Sequence, residues 1–308
     1  MKIIQDILMT IDVSVVTLGT FDGVHLGHQH LISQTVHKAH ELGMPSVVVT
    51  FDSHPKAYFG GETLPYKLMT TEEKVSAIAQ CGVDYLYIIP FDSSLAQMSP
   101  EMFLETYIVG KLGARHFVMG YNHRFGKGNY PPEYYEEICR KQNIGASRVS
   151  QWIEDGNICS SSQIREALRQ GNITLANKLL GREYALQGKV VHGDAIGRNI
   201  GYPTANISLD DTKKIIPQEG VYAAKAKIDN NTYNAAVFVG TRPTIGDTEK
   251  RVEVYIMDFS EVIYGNLMTI SFVSKKRDVI RFDSLELLKE QISKDVAFLK
   301  KGLKKFDF

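Results

Sequence analysis

Short apolar runs alternate with segments of helical periodicity through the N-terminal part of the chain. The apolar runs predict strands at residues 13–18, 45–51, 84–89, 116–119 and 147–152. Helical patterns lie between them: one predicted helix starts near Thr71, and another has Ser99 as its N-cap and Pro100 at its first helical position and ends before Gly113. This alternation predicts an α/β domain with a mostly parallel sheet, in which ligands bind beyond the carboxyl ends of the strands.

The pattern changes to short strands without long helices after residues 181–184. Strands are predicted at residues 186–191, 220–228, 232–240, 251–259 and 267–273, which favours a compact antiparallel β-barrel. An amphipathic helix is predicted over residues 284–298, with Ser284 as its N-cap and an apolar stripe that packs against the barrel. We therefore expect two domains, residues 1–183 and 184–308, and a chain of 308 residues is long enough for two cores.

Residues 17–28 lead an apolar strand into a glycine-punctuated turn and then into a helix that ends at Gly43. Backbone N–H groups at a helix N-terminus bind anions, and Gly19 and Gly27 remove side chains that would keep a phosphate at a distance. His25 and His28 stand where this helix begins. The arrangement predicts a nucleotide phosphate site in which imidazole groups stabilise the charge that develops during displacement at phosphorus.

These histidines have two other interpretations. Metal ligation is disfavoured, because His25, His28 and His30 lack the i, i+4 spacing of a helical zinc pair and no cysteine or carboxylate cluster adjoins them. A structural role, in which polar side chains only cap the helix, stays open. Two histidines around a glycine at a turn of this size favour the phosphate interpretation.

A second glycine-rich bend occupies residues 193–206 and ends in a Pro-Thr-Ala-Asn corner. Backbone N–H groups in such a bend can hold phosphates, and Arg198 can pair with them. Thr204 and Asn206 offer neutral oxygen atoms of the kind that suits Mg²⁺. Glycine is also common at barrel corners for steric reasons alone, so the spacing leaves both interpretations open.

Glu253 lies within the predicted strand 251–259. Side chains alternate along a strand, so Val252, Val254 and Ile256 share one face while Glu253 and Tyr255 share the other. From the pattern alone, the favoured interpretation of this glutamate is a solvent-exposed carboxylate opposite a lysine or an arginine.

Composition excludes several classes of function. The 35 Lys and Arg residues balance the 35 Asp and Glu residues, so no net field recruits nucleic acid or an anionic membrane, and a small-molecule function fits better. The three cysteines have no metal-binding spacing, and the N-terminus has no basic segment followed by a long apolar one, which predicts a cytoplasmic protein. No apolar run is long enough to span a bilayer. Weak self-association stays open.

Further motifs lie at residues 50–55 (Thr-Phe-Asp-Ser-His-Pro), 119–126 (Met-Gly-Tyr-Asn-His-Arg-Phe-Gly) and 160–165 (Ser-Ser-Ser-Gln-Ile-Arg). Together with residues 17–28, they resemble the adenylyltransferase half of the bifunctional riboflavin kinase/FMN adenylyltransferase family, the bacterial FAD synthetases. The Pro-Thr-Ala-Asn corner, with residues 239–244 and 252–256, resembles the riboflavin kinase half. The His-x-Gly-His element is shared by many nucleotidyltransferases, whereas the Pro-Thr-Ala-Asn corner is far more specific to flavokinases. The match covers nearly the whole chain.

This resemblance implies a Rossmann-like nucleotidyltransferase domain followed by a flavokinase-like antiparallel β-barrel with a C-terminal helix. It implies that ATP phosphorylates riboflavin to FMN in the barrel domain and that a second ATP adenylylates FMN to FAD, with release of pyrophosphate and with Mg²⁺ in both steps. Glu253 matches the base that takes the proton from the ribityl hydroxyl. His25 and His28 match the groups that stabilise the adenylyl transition state.

The resemblance also implies roles for the remaining site residues. Nucleotide and phosphate binding falls to Gly19, Phe21, Asp22, Gly27, Asn122, Ser161, Ser162 and Arg165, and in the barrel to Gly193, Gly197, Arg198, Gly201 and Pro203. Flavin or substrate binding falls to His54, Pro55, Phe125, Arg242 and Thr244. The metal ligands are Thr204 and Asn206.

Two alternatives remain. In one, only one half is active, or the adenylyltransferase half uses another phosphorylated substrate such as nicotinamide mononucleotide. In the other, the barrel is a non-catalytic flavin sensor or an RNA-binding module, although it shows no dense basic patch with interleaved aromatic residues. Residues 121–124 also depart from the family pattern, in which an acidic residue or another aromatic is frequent.

Overall fold

The computed structural model describes residues 1–4, 10–53, 66–193, 197, 201–209, 211, 213–242 and 247–303, with side chains at 242, 247–249 and 301–303 excepted. The predicted site residues His54, Pro55, Arg198 and Thr244, and the side chain of Arg242, lie outside the described residues. The chain forms two compact units, Met1–Ser161 and Ser162–Phe308.

The first unit is built on a six-stranded sheet in which every neighbouring pair is parallel. Its strands are β1 Lys2–Ile4, β2 Ser14–Leu18, β3 Ser46–Phe51, β4 Tyr85–Ile89, β5 Ala114–Met119 and β6 Gly145–Arg148. They lie in the order β1-β4-β3-β2-β5-β6, and a two-stranded hairpin of β7 Ile153–Glu154 and β8 Asn157–Ile158 follows. The predicted parallel sheet is confirmed, while β1 was not predicted and β6 begins earlier than the predicted strand at 147–152.

Helices connect these strands. They are α1 Leu26–Leu42, α2 Thr71–Ala79, α3 Ser93–Gln97, α4 Pro100–Phe103 and α5 Pro132–Lys141. The predicted helix start near Thr71 is confirmed, and Thr70 and Glu73 form a reciprocal capping box there that was not predicted. The Ser99 hydroxyl caps α4 as predicted, with Pro100 at the start of the helix. Beyond α4 the chain continues as a π-helical segment, Leu104–Lys111, rather than as the single α-helix that was predicted.

The central strands are apolar on both faces because helices cover the sheet on both sides. Val15 and Val48 belong to one buried cluster, whereas the alternate residues Val16 and Val47 belong to another. Full burial of a valine side chain contributes about 1.5–3 kcal/mol, so continuous apolar strands stabilise a two-sided sheet. The sheet is thereby a rigid support for the loops at its carboxyl edge.

The second unit is a closed antiparallel barrel with a long C-terminal helix. Its helices are α6 Ser161–Arg169, α7 Ile173–Leu180 and α8 Leu285–Leu303, and α6 begins at the last residue of the first unit. Its strands are β9 Tyr184–Val191, β10 Ala205–Leu209, β11 Gly220–Ile228, β12 Asn231–Arg242, β13 Asp247–Ile256 and β14 Leu267–Arg277. The strand order around the barrel is β10-β13-β12-β11-β14-β9. The predicted barrel and C-terminal helix are confirmed, whereas β10 was not predicted.

Strand β10 closes the barrel by pairing with β9 on one side and with β13 on the other. Its sequence, Ala-Asn-Ile-Ser-Leu, is short and carries polar residues at two of its central positions, so its pattern resembles a loop. Gly188 of β9 permits the close approach, because a Cβ there would overlap the Ser208 carbonyl group of β10. Closure of the barrel therefore depends on pairing between distant segments.

Candidate active sites

The first site is the histidine turn, residues 19–28, which follows β2 at the carboxyl edge of the parallel sheet. Phe21, Gly23 and Val24 have φ values of 49°, 89° and 36°. A β-branched residue such as Val24 is a rare occupant of this left-handed region, and each such residue costs on the order of 1–3 kcal/mol unless its surroundings hold it there. The turn is thus a strained element that the surrounding residues stabilise.

Three side chains hold the backbone of the histidine turn. The Asp22 carboxylate accepts a hydrogen bond from the Leu68 backbone N–H at 3.0 Å. The Ser161 hydroxyl donates to the Asp22 carbonyl oxygen at 2.8 Å, and the Gln29 side-chain amide donates to the Val24 carbonyl oxygen at 2.9 Å. Asp22 and Ser161, both predicted to bind nucleotide phosphates, therefore also fix the shape of the turn.

His25 is the N-cap of α1, and its ring is nearly fully buried. Its Nδ1 accepts a hydrogen bond from the His28 backbone N–H at 3.3 Å. The Sγ atom of Cys159 lies 3.5 Å from the same nitrogen. Because Nδ1 is an acceptor, the neutral ring carries its proton on Nε2, which makes Nε2–H a hydrogen-bond donor.

The two imidazole rings of the turn are stacked. The His25 and His28 ring centroids are 3.6 Å apart, and the planes are inclined by 18°. The buried Phe21 ring packs edge-on against His28 at 5.2 Å. A Cβ at Gly19 would lie 3.1 Å from the Phe21 ring, and one at Gly27 would lie 3.2 Å from the His25 ring. The predicted glycines and Phe21 therefore allow and support the packing of the histidines.

The other predicted residues of the first unit have different surroundings. Asn122 is exposed in the loop after β5, and β5 is the neighbour of β2, so this loop and the histidine turn share one edge of the sheet. Phe125 is buried among aromatic rings, and its ring centroid lies 5.5 Å from that of Phe103 and 4.8 Å from that of Tyr135. Phe125 thus contributes to the core, and its contact with a flavin stays a prediction.

Two predicted nucleotide-binding residues lie on α6 within the second unit. Ser162 is exposed in the first turn of this helix, and Arg165 is buried one turn further along. Their part in binding nucleotide stays a prediction.

Lys74 is a residue of the first unit that the sequence did not point to. Its ammonium group donates to the carbonyl oxygens of Thr20 and Phe51 and to the Thr50 hydroxyl, and burial lowers the pKa of the amine. A small cavity of about 30 Å³ adjoins it, lined by Thr20, Asp22, Asp52, Ser53, Lys67, Met69, Thr70, Thr71 and Lys74. A lysine on an amphipathic helix has no sequence signal that separates this position from an ordinary solvent-exposed one.

The second site is a cavity of about 570 Å³ between the barrel wall and α8. Its walls are mostly apolar, with Val221 and Val237 on the barrel and Leu288 and Ile292 on the helix among the lining residues. A cavity of this size and character is typical of sites that take a drug-sized planar ligand. Glu253 is among its polar lining groups.

Glu253 and Tyr255 line the cavity, while Val252, Val254 and Ile256 are buried on the opposite face of β13. The predicted alternation along this strand is therefore correct. The Thr204 hydroxyl donates to the Glu253 carboxylate at 3.3 Å and holds its orientation. The favoured sequence interpretation of Glu253, a solvent-exposed surface carboxylate, is wrong: this face of the strand borders the cavity, because α8 lies over it.

Asn206 lies opposite Glu253 in the pairing of β10 with β13, and it is buried. The Thr204 hydroxyl, the Asn206 amide oxygen and the Glu253 carboxylate give this corner an all-oxygen donor set, which is the chemistry that Mg²⁺ prefers. Within the described ranges, no group of three or more His, Cys, Asp or Glu side chains is arranged to hold a metal ion.

Glycines in the bend that leads to the Pro-Thr-Ala-Asn corner allow the backbone of residues 193 and 197 to lie close to neighbouring groups. A Cβ at Gly193 would overlap the Asn206 side chain, and one at Gly197 would overlap the Tyr202 carbonyl group. Gly201 has φ 86°, a conformation that other residues rarely adopt. Pro203 is exposed, and a phosphate role for these four residues stays a prediction.

No helix among the described residues is long and apolar enough to cross a bilayer. All three cysteines are free.

Comparison with known proteins adds to this geometry. The family model described as FAD synthetase matches residues 9–163, and the one described as riboflavin kinase matches residues 180–303. A bifunctional riboflavin kinase/FMN adenylyltransferase of Bacillus subtilis is 38% identical over 288 residues, which cover 92% of this chain and 90% of that protein. Its counterpart from Haemophilus influenzae is 36% identical and covers 92% of each chain.

A crystal structure described as a macrolide-efflux protein from Streptococcus pneumoniae superimposes with a TM-score of 0.86 at 33% identity and covers 96% of this chain and 95% of that one. The family matches divide the chain between two successive domains, in the order in which the parallel sheet and the barrel occur. The chain belongs to the bifunctional riboflavin kinase/FMN adenylyltransferase family.

Proposed function

We propose that this chain makes FAD from riboflavin in two successive reactions, each in its own domain. Riboflavin and ATP give FMN and ADP in the riboflavin kinase domain, and FMN and a second ATP give FAD and pyrophosphate in the FMN adenylyltransferase domain. The observation that carries this proposal is the presence in one chain of a strained histidine turn at a parallel-sheet edge and of Glu253 in an apolar barrel cavity. We place the domain boundary at residues 183/184.

In the kinase reaction, the apolar walls of the barrel cavity bind the isoalloxazine ring, which is planar and largely apolar. The ribityl chain then reaches Glu253. Its carboxylate accepts the proton of the terminal hydroxyl as that oxygen forms a bond to the γ-phosphorus of ATP and the bond to ADP breaks. Thr204 orients the carboxylate, since its hydroxyl already donates to it.

In the adenylyl reaction, a phosphate oxygen of FMN forms a bond to the α-phosphorus of ATP, and the bond to pyrophosphate breaks. His25 offers Nε2–H, with the ring orientation fixed by the bond at Nδ1, and the His28 ring, which stacks on it, offers a second N–H donor to the same developing charge. Donors held in place before the reaction stabilise the growing negative charge without reorganisation. The N-terminus of α1 adds backbone N–H groups and the positive end of a helix dipole. Asn122 and Ser161 contribute to binding ATP.

Mg²⁺ is the metal that we assign to both reactions, with Thr204 and Asn206 as its contacts in the barrel. When bound, it neutralises phosphate charge and orients the phosphoryl group. We place the enzyme in the cytoplasm on the basis of its three free cysteines, and we retain weak self-association as part of the proposal.

Two substitutions separate the reactions. His28→Ala is expected to lower FAD formation from FMN by about 100- to 1000-fold, the usual cost of one well-aimed donor, while FMN formation from riboflavin stays within about twofold of the original rate. Glu253→Gln is expected to abolish FMN formation from riboflavin and to leave FAD formation from supplied FMN intact, because the amide accepts no proton. Chromatography of the flavins formed with ATP and Mg²⁺ measures both rates.

Matched controls lie on the same elements or units. His37→Ala alters an exposed histidine of α1, and Glu261→Gln alters an exposed glutamate of the barrel unit, and neither is expected to change either rate. If a folded His28→Ala or Glu253→Gln variant loses both reactions, the division of labour is wrong. Supplying nicotinamide mononucleotide in place of FMN tests the alternative substrate, which is expected to give no dinucleotide.

A further inference from the structure

The strain in the histidine turn requires a support, and part of that support comes from outside the turn. Two non-glycine residues, Phe21 and Val24, have positive φ values within four positions of each other. Such a conformation persists only when neighbouring groups determine it. The bonds from Leu68, Ser161 and Gln29 hold the second half of the turn. Its entry, at Thr20, is held by a different group.

The entry of the turn is held by Lys74, on the first turn of α2. The Lys74 Nζ lies 3.4 Å from the Thr20 carbonyl oxygen, 3.3 Å from the Thr50 hydroxyl oxygen and 2.8 Å from the Phe51 carbonyl oxygen. The Thr50 hydroxyl in turn donates to the Thr20 carbonyl oxygen at 3.2 Å. Because an ammonium group has three N–H bonds, these three oxygens use its whole donor capacity.

These contacts join two strand ends. Thr20 follows β2, and Thr50 and Phe51 end β3, the strand that pairs with β2 in the centre of the sheet. Thr50 is fully buried, and partial burial of the Lys74 amine lowers its pKa. A hydrogen bond from a charged donor in such surroundings is stronger than one between neutral groups. The Lys74 ammonium therefore fixes the point from which the strained turn departs.

We propose that Lys74 is a positioning residue for adenylyl transfer: its ammonium joins the carboxyl ends of β2 and β3 and thereby holds the histidine turn in the conformation that presents His25 and His28. This inference rests on the proposed function of the first unit. Loss of the ammonium leaves the Thr50 hydroxyl as a donor to the Thr20 carbonyl oxygen but removes the charged link from Thr20 to Phe51, which allows the turn to relax. Displacement of catalytic groups by about 1 Å can cost on the order of 100-fold in rate without a direct loss of substrate contacts.

The test compares Lys74→Met with the original chain in FMN adenylylation. Methionine keeps an unbranched apolar stem but has no donor. We expect kcat to fall about 10- to 100-fold and the KM for ATP to change less than about threefold, because binding contacts remain while the transition-state donors are misplaced. Lys74→Arg can donate to the same carbonyl groups. Its decrease in log kcat is therefore expected to be at most half of the decrease in Lys74→Met. Riboflavin phosphorylation by the same molecules is expected to stay unchanged.

A matched control and a second variant sharpen the test. Lys141→Met makes the same substitution at an exposed, ion-paired lysine of the same unit and is expected to leave kcat unchanged. Thr50→Val removes the hydroxyl that links Lys74 to Thr20 and is expected to lower kcat about three- to tenfold, so it keeps the test valid if Lys74→Met does not fold. The double variant Lys74→Met/Thr50→Val is expected to be no slower than Lys74→Met alone, because both remove one network.

Three results would overturn the proposal. The first is a folded Lys74→Met variant with a kcat within twofold of the original. The second is a rise in the KM for ATP at constant kcat, which would assign Lys74 to nucleotide binding. The third is additive losses in the double variant. Failure of the proposed function itself is distinguishable, because in that case the unsubstituted chain forms no FAD from FMN and ATP.

Discussion

Single residues of the first unit carry both its chemistry and an acid-sensitive point in its core. The two ring nitrogens of His123 are shielded from solvent and have no hydrogen-bond partner among the described residues. The centroid of the His123 ring lies 5.6 Å from the ring centroid of Phe117 and 5.7 Å from that of Phe125. Burial, with a smaller contribution from the positive charge of Arg148, lowers the pKa of His123 to about 4. The folded unit therefore holds this imidazole in its neutral form.

His123→Phe is expected to make the protein less sensitive to acid. The ordinary pKa is about 6.5 in the unfolded chain, so between pH 6.5 and 4 the unfolded chain binds a proton that the folded chain does not. The free energy of unfolding therefore has its full value above pH 6.5. It decreases by up to roughly 3 kcal/mol as the pH drops toward 4. Phenylalanine removes this titration and the buried unpaired nitrogens.

Thermal unfolding at pH 5 and pH 7.5 measures this prediction. The difference in Tm between the two pH values is expected to shrink in His123→Phe, and the Tm at pH 5 is expected to rise. His37→Gln, at an exposed histidine, is the control and is expected to keep the original difference. An unchanged pH dependence in the His123 variant would show that other groups cause the acid sensitivity.

At the scale of elements, the C-terminal helix forms one wall of the barrel cavity, and a buried ion pair attaches this helix to the barrel. Arg277 of β14 donates from Nε and Nη2 to the Asp295 carboxylate at 2.8 and 2.7 Å. Gln291 donates to the other carboxylate oxygen at 3.0 Å. Asp295 is only 3% exposed, so its hydrogen-bond partners are protein groups rather than bulk water. The apolar stripe that predicted packing against the barrel is the same face that lines the cavity.

Asp295→Asn is expected to loosen α8 and weaken riboflavin binding. The substitution leaves the Arg277 charge largely buried without its partner, which costs about 3–5 kcal/mol in comparable cases. We expect a lower Tm for the barrel unit and a rise of about tenfold or more in the KM for riboflavin, with adenylylation of supplied FMN unchanged. Urea unfolding and initial rates of FMN formation measure the two effects.

Glu290→Gln is the matched control on the same helix. Glu290 pairs with Lys294 at the surface, where both side chains are more than half exposed. Exposed pairs contribute about 0.2–1 kcal/mol, so little change is expected in stability or in the KM for riboflavin. Equal effects of the two substitutions would contradict a special role for the buried pair.

At the scale of the whole molecule, two folds carry two related phosphorus-transfer reactions, and both depend on triphosphate charge. The described residues hold no carboxylate, histidine or cysteine cluster for a metal ion. The metal that we propose has Thr204 and Asn206 as its protein contacts, and two neutral oxygen atoms leave most of its coordination to ATP oxygens and water. Metal removal should act on the activities and not on the fold.

Excess EDTA is accordingly expected to stop both FMN and FAD formation, because each step then loses the cation that neutralises the triphosphate. Addition of Mg²⁺ beyond the chelator is expected to restore both. The Tm without ATP is expected to change by less than about 1 °C, since two neutral oxygen contacts from Thr204 and Asn206 hold a cation only weakly when the triphosphate is absent. Product formation at full rate in excess EDTA, or unfolding on chelation, would contradict this prediction.

Local patterns account for the parts of the fold that were predicted. The helix start near Thr71, the cap at Ser99 and the helix end at Gly43 depend on residues within one turn of helix, so they can be recognised from a few consecutive positions. The apolar strands of the parallel sheet are equally local signals. Strand β10 and the π-helical segment were missed, because pairing partners and backbone hydrogen bonds elsewhere in the unit decide them.

The site residues divide in the same way. The histidine turn, the Pro-Thr-Ala-Asn corner and Glu253 were predicted as site residues from short motifs and from the family resemblance, and their roles stay predictions. Lys74 was not found, since its three acceptors come from the ends of two strands that precede it by 23 to 54 positions. No pattern around Lys74 in the sequence distinguishes it from a surface lysine.

The sequence by itself determined the parallel α/β pattern of the first part of the chain, the change to antiparallel strands in the second part, and the family, because these depend on periodicity and on residues close together in the chain. The tertiary structure alone decided which face of β13 borders a cavity, how a strained turn is held and where α8 is attached. These features arise from contacts between distant segments, and their energies exist only once the chain has folded.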